Sequence, residues 1–375
     1  MCQPSLVRHI VLKKFHWKHD ALTWGRIGEC VNLRSLDCSK WWDGLGSDYQ
    51  DSGERGHGYD IRRNNGQLAL ASTALRDKTI ETLTLGACDR LTERKELFLR
   101  DLRCVRRLHF SLRPASRQPV LRLLSCFDKV VSVTIGGYYG PVALPRELGD
   151  YRSLSLETIY DSDFLSSLHG CSLREISLRE NSNSELVDFL QANPQLRRVR
   201  LSVSYRASDN LVSKITEMAA TTFSLVWTQA KRKHLSLLPN VDFLVLRHPR
   251  DFDAGVMAKW CKLEYLGLEL SRCGPHSDWS ALRHLPNLHT FVVCACNIEP
   301  PLCLSWTKDC VTLREVSVFD HTHVWCSDCA PQSLPSVLFS PTACPTPMTL
   351  SYFHEAMQQH ATKKAGKEKK KATRR

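Results

Sequence analysis

Apolar residues recur along this chain at relative places one, four and six. The stretch from Leu173 to Val203 shows the unit most clearly. Leu173, Ile176 and Leu178 hold the three places in SLREISL, and Leu196, Val199 and Leu201 hold them again 23 residues later in QLRRVRL. Places four and six lie two apart, the period of a strand, so both face one side. Between the triplets, SELVDFLQANP carries Leu186, Phe189 and Leu190 at three-four spacing, which predicts a helix. One such coil cannot cover its own apolar face, so it must stack on copies of itself.

The copies are present. Val7/Ile10/Leu12, Leu33/Leu36/Cys38, Ile80/Leu83/Leu85, Val105/Leu108/Phe110, Val130/Val133/Ile135 and Tyr151/Leu154/Leu156 precede this stretch. Ala220/Phe223/Leu225, Val241/Leu244/Leu246, Leu263/Leu266/Leu268, Leu288/Phe291/Val293 and Leu313/Val316/Val318 follow it. From Ile80 onward the steps are 21 to 25 residues, inside the range of the leucine-rich repeat. That template also places Asn or Cys at the ninth position, where Cys88, Asn181 and Cys296 stand here. The expected fold is an α/β leucine-rich-repeat solenoid over residues 1–318, with about 13 coils on the repeat period. Its parallel sheet would be concave, with short helices on the convex side.

The rhythm breaks in two places. Leu33 to Ile80 is a step of 47 residues, and residues 40–66 are rich in Gly, Asp and Asn. Such composition favours turns, so a degenerate repeat with a long surface loop is expected. Trp41 and Trp42 would then cover core instead of anchoring a partner together with Tyr49. The glycines there are not followed by Gly-Lys-Ser/Thr, so no phosphate loop is expected. The second break is at 319–360, rich in Pro and Ser, where a cap would close the last coil with Trp325, Leu338, Phe339 and Phe353. Pro194, Pro239 and Pro286 each precede a strand triplet, fitting the turn into the strand.

Charge changes the picture in one respect. The formal net charge is +12, and residues 361–375 alone carry six Lys, two Arg and one Glu. Most of the basic character therefore belongs to a tail expected to be disordered. Such a tail suits nucleic acid, anionic lipid or a nuclear import receptor. No run of about 18 apolar residues occurs, so no membrane span is expected, and the first residues lack a signal-peptide pattern. The 16 cysteines accordingly read as reduced, buried small apolar residues, with Cys38, Cys104, Cys126, Cys171 and Cys261 inside strand or helix patterns. The expected location is cytoplasmic, nuclear or both.

Catalytic signatures do not emerge. Neither Gly-x-Ser-x-Gly nor His-Glu-x-x-His occurs, so a non-enzymatic chain without cofactor is expected. His321, His323, Cys326 and Cys329 form a compact group, and Cys-x-x-Cys can grip zinc. No second pair at a defined spacing completes it, so a capping loop is the expectation and no metal is assigned. The sheet face is the better candidate. Places three, five and seven of each triplet point away from the core. They offer Arg107, His109, Glu175, Arg179, Arg198 and Arg200, then Phe243, Arg247, Tyr265 and Glu269. Arginine and aromatic side chains are frequent binding anchors, so this stripe is the expected protein-binding surface.

PSLVRHIVLKKF, CVNLRSLDCS, NPQLRRVRLS and LPNLHTFVV resemble the leucine-rich-repeat region of fungal F-box-like proteins, over roughly residues 5–320. The resemblance implies a substrate receptor for a ubiquitin ligase, with repeats holding the substrate and an F-box docking a Skp adaptor and cullin. VRHIVL resembles the first strand after the F-box, but no Leu-Pro-x-Glu-Ile-Leu run precedes Val7.

Overall fold

The computed structural model describes residues 3–12, 20–45, 61–88, 91–102, 104–112, 117–136, 144–156, 162–178, 183–203, 209–218, 221–238, 240–249, 254–257, 259–270, 279–295, 305–320 and 337–339. Tyr49, Arg179, Asn181, Pro239, Cys296, Trp325, Phe353, the 321–329 His/Cys group and the basic tail lie outside them. The chain divides into two compact units, Met1–Leu178 and Arg179–Arg375. Each is a run of strand-and-helix coils with its strands in one parallel sheet, the architecture of an α/β leucine-rich-repeat solenoid.

The first unit contributes β1 (His9–Val11), β2 (Ser35–Asp37), β3 (Thr82–Ala87), β4 (Arg107–Ser111), β5 (Ser132–Gly136), β6 (Ser153–Leu156) and β7 (Glu175–Leu178), neighbours in sequence order. Register is kept throughout. Ile10, Leu36, Leu83, Leu108, Val133, Leu154 and Ile176 lie opposite one another in one inward row. From Leu36 to Ile176 that row is at most 1% exposed. Burying each such side chain contributes about 1.5–3 kcal/mol, which makes this row the spine of the unit.

Five helices cover its inward side: α1 (Asp20–Gly28), α2 (Ser39–Gly44), α3 (Ile61–Leu75), α4 (Glu93–Asp101) and α5 (Arg117–Leu124). A sixth, α6 (Ser162–Ser167), precedes β7. The long step between Leu33 and Ile80 does not hold a degenerate strand, because β2 pairs directly with β3. Its described length goes into α2 and α3 instead. Leu68, Ala71 and Leu75 form the buried stripe of α3, and Ser72 hydrogen-bonds Asp101 of α4. Trp41 and Trp42 are core, as expected, at 5% and 0% exposure. Trp41 packs edge-on against Trp24 at 5.1 Å and Phe98 at 5.9 Å. Lys95 is buried with its ammonium 4.6 Å above the Trp42 ring, a cation–π contact.

The second unit contributes β8 (Arg198–Val203), β9 (Thr222–Thr228), β10 (Val241–Arg247), β11 (Tyr265–Leu270), β12 (Thr290–Ala295), β13 (Glu315–Asp320) and β14 (Val337–Phe339). Its described helices are α7 (Asn183–Ala192), α8 (Asp209–Glu217) and α9 (Arg232–Leu235), and later coils use 3-10 turns. Leu201, Leu225, Leu244, Leu266, Phe291 and Val316 form its inward row, and Val337 pairs in register with Val316. Leu338 and Phe339, expected to help close the last coil, lie on this last parallel strand, β14, paired with β13.

Turns between coils repeat their bonding. The amides of Leu33, Leu196 and Leu313 each donate to the carbonyl three residues back at 3.2 Å, and Leu288 does so at 3.5 Å. Pro194 and Pro286 stand second in two of these turns, where a fixed φ suits the bend. After β3, the buried Cys88 thiol donates to the Gly86 carbonyl at 3.4 Å, the turn-closing task that the ninth position performs.

Candidate functional site

The face away from the helices carries the expected site. In the first unit it is two straight rows. One runs His9, Ser35, Thr82, Arg107, Ser132, Ser153 and Glu175; the other runs Val11, Asp37, Thr84, His109, Thr134, Ser155 and Ser177. His9, Val11 and Arg107 are exposed, and the remaining eleven residues are half-buried. Serine and threonine suit a strand and project little, so Arg107, His109 and Glu175 stand out from a low floor. Arg107 and His109 share β4, and Glu175 lies three strands away, about 14 Å at ordinary strand spacing.

In the second unit the same face differs. Arg198 and Arg200 are half-buried on β8. Phe243 and Tyr265 are not the open anchors the sequence suggests. They are 0% and 6% exposed, stacked on each other with centroids 4.1 Å apart and planes at 11°. Val226, Val245 and Val292 on the same face are 0–3% exposed, and Ser224 is 4%. A parallel neighbour at the same register puts two aromatic rings within stacking range, which spends their apolar area on one another.

Arg247 and Glu269 also face each other across β10 and β11, and Arg247 Nε donates to Glu269 Oε2 at 2.6 Å. His248 Nε2 stands 3.4 Å from the other oxygen of that carboxylate. This places Arg247 and Glu269 in an internal ion pair, 17% and 13% exposed. Arg179 cannot be located among them, lying outside the described residues.

The row itself is offset here. Val241 pairs with Phe223 but Phe243 pairs with Ser224, so Asp242 is an extra residue on β10. Arg200, Ser224, Phe243, Tyr265, Thr290 and Glu315 therefore share one row. The triplet phase alone aligns Thr222, not Ser224, with Phe243. Such a bulge re-aims side chains without disturbing the apolar spacing. Asp242 is 3% exposed and accepts a hydrogen bond from Ser224 Oγ at 3.0 Å.

Among the described residues no group of three His, Cys, Asp or Glu is placed to hold a metal. No described helix is long and apolar enough to cross a membrane. Of the described cysteines, Cys30, Cys38, Cys88, Cys126 and Cys310 are buried, whereas Cys104 and Cys171 are half-buried and Cys261, contrary to the expectation, is exposed, because it sits in the turn before β11 and not in an element. Burial pushes the Cys38 thiol far up, and the neighbouring Asp37 carboxylate adds to the shift.

One set of residues was missed by counting the face from the third place. Arginine follows the first apolar residue in VRHI, LRSL, VRRL, YRSL and LREI. These second-place residues, Arg8, Arg34, Arg106, Arg152 and Arg174, are all exposed, along the entry edge of the first unit's sheet. The repeated dipeptide was the available signal.

No protein-family model matches the chain, and no curated protein matches it. Among solved structures it is similar to the TLR13 chain of a TLR13–ssRNA13 complex, at 13% identity and a TM-score of 0.40, covering 78% of this chain. It spans about half, 47%, of that chain's length. It is also similar to an internalin (inlF) from Listeria monocytogenes, at 14% identity and a TM-score of 0.34, covering 85% of this chain and 83% of that one. Both likenesses are loose enough that the fold stands on the strand ladder itself.

Proposed function

We propose that this chain is a non-catalytic recognition scaffold whose first unit holds a protein partner on its outward face. The observation that carries this is the pair of in-register rows over β1–β7, open to half-open along their whole length. A low Ser/Thr floor with Arg107, His109 and Glu175 rising from it gives a partner shape and charge to fit. Arg198 and Arg200 of the second unit offer a separate, smaller cationic contact. Phe243 and Tyr265 are assigned to packing.

A photo-crosslinking residue at His109 in the full chain would capture the partner. Thr134→Trp and Ser155→Trp place bulk on the floor of the face and should abolish capture with the circular dichroism unchanged. Capture undiminished by both would refute the reading. The ubiquitin-ligase role rests on the repeat style of PSLVRHIVL and LPNLHTFVV. Co-capture of a Skp adaptor and cullin would support that role. The Lys-rich tail favours a second reading, association with nucleic acid. There, affinity should fall steeply with salt and vanish when residues 362–375 are removed.

A further inference from the structure

The second place of each coil in the first unit has a fixed main-chain task. The carbonyls of Arg8, Arg34, Glu81, Arg106, Val131 and Arg152 each accept two amide N–H groups from the next coil, at 2.8–3.1 Å. The side chains are left to solvent, and all six residues are exposed, as is Arg174 at the end of the row. Nothing in this bonding calls for arginine. In the second unit the same place is held by Arg197, Thr221, Asp242, Glu264, His289 and Arg314, so arginine stands at two of six places there, and the carbonyls of Arg197, Asp242, Glu264 and His289 likewise accept from the next coil. The arginines of the first unit are thus not a requirement of the coil.

They form a line along one edge. Arg8 and Arg34 sit on adjacent coils, Arg106 and Arg152 are each separated by one coil, and Arg174 closes the row, with Arg107 beside it. At about 4.8 Å per strand the row spans about 29 Å. Among the described residues, Arg34 has a loose exposed partner in Glu81 at 3.8 Å, worth little. Five of seven places carry a guanidinium, and Arg8, Arg34, Arg106 and Arg152 make up most of the row; guanidinium is the side chain best shaped to grip a carboxylate with two parallel hydrogen bonds.

The chemistry around the row separates two kinds of anion. A nucleic-acid strand brings an unbroken line of phosphates and bases that need flat surfaces. The outward rows of this unit hold no Phe, Tyr or Trp to stack on, and Glu81, Asp37 and Glu175 interrupt the line with negative charge. Discrete side-chain carboxylates, spaced to meet separate arginines and avoid those acids, fit better. We infer that the arginine edge of the first unit docks an acidic segment of the protein partner. This rests on the reading that the first unit holds such a partner.

The test uses the full chain, so that the basic tail contributes equally throughout. The probes are a labelled Glu-Ser-repeat peptide of about ten residues, long enough when extended to span the row, and an oligothymidylate of matched charge. Arg106→Glu with Arg152→Glu should weaken peptide binding by about tenfold or more, as reversal of two exposed charges allows. Arg106→Gln with Arg152→Gln should weaken it less, and Arg314→Glu, at the same place in the second unit, should leave it unchanged. Equal peptide affinity for the parent and both double variants overturns the inference. So does oligothymidylate binding that falls further than peptide binding, which would assign the edge to phosphate. If the edge variants bind peptide normally while Ser155→Trp still abolishes partner capture, only the acidic partner is refuted. Undiminished capture by the Trp variants removes the wider reading as well.

Discussion

Replacing Gly86 by alanine puts a methyl group where the structure has no room for one. The added Cβ would lie 2.5 Å from the Ser39 carbonyl oxygen and closer still to Asp43 Oδ1. That carboxylate oxygen accepts the Ala87 amide at 2.7 Å, the bond that ties α2 to the end of β3. Asp43 can swing aside, at the loss of this bond, worth about 1 kcal/mol net. Ser39 cannot follow easily, because α2 is wedged by Trp41 and Trp42 against Trp24 and Phe98. Overpacking of that kind costs about 1–3 kcal/mol. Alanine returns about 0.4–1 kcal/mol by stiffening the unfolded chain. Together these three contributions leave a net loss of about 2 kcal/mol. Gly25 is the control: it lies in α1 with nothing within 4 Å of the place a methyl would take, so Gly25→Ala should stabilise by roughly 0.5–1 kcal/mol. Stacked coils open locally, so the readout is amide hydrogen exchange across β2–β4. Gly86→Ala should speed it about thirtyfold, the equivalent of about 2 kcal/mol. Exchange no faster than in the parent, or greater damage from Gly25→Ala, would refute the argument.

Phe243→Ala should cost about 3–5 kcal/mol, as for a buried ring; a urea-melt loss under about 1 kcal/mol, typical of an exposed residue, would return it to the binding surface. Asp209 on α8 accepts hydrogen bonds from Lys233 and His234 on α9, both at 2.7 Å, and these hold its carboxyl down at about 2 from an ordinary 3.8. Its contribution is therefore present above about pH 4 and lost as pH falls toward 2. Thermal midpoints of parent and Asp209→Asn should differ at neutral pH and converge on acidification, and a gap that persists to pH 2 contradicts this. In the native protein, a maleimide should label the exposed Cys261 quickly and reach Cys38 and Cys88 only in denaturant; mass spectrometry of the labelled peptides decides it.

The inward rows were legible because a period of two cannot be slipped by one without exposing Leu83, Leu108 or Ile176. The polar rows of the first unit were legible for the same reason. The offset in the second unit was not. Val241, Leu244 and Leu246 fit the triplet whether or not Asp242 is bulged, so the pattern is blind to the shift that seats Phe243 beside Ser224. Burial of Phe243 and Tyr265 was equally hidden, since an outward aromatic looks the same in sequence whether it meets solvent or another ring. The α3 helix was obscured by the Gly- and Asn-rich run that begins it, although Leu68, Ala71 and Leu75 carry its spacing.

The doubled amide contacts to each second-place carbonyl have an evolutionary consequence. Main-chain groups hold the coils in register, so the side chain at that place is released from structural duty. Its identity can drift from arginine to glutamate or valine, as at Glu81 and Val131, without a folding penalty. A repertoire of partners can then be explored one coil at a time, with duplication of a coil supplying a new letter and leaving the rest of the text readable.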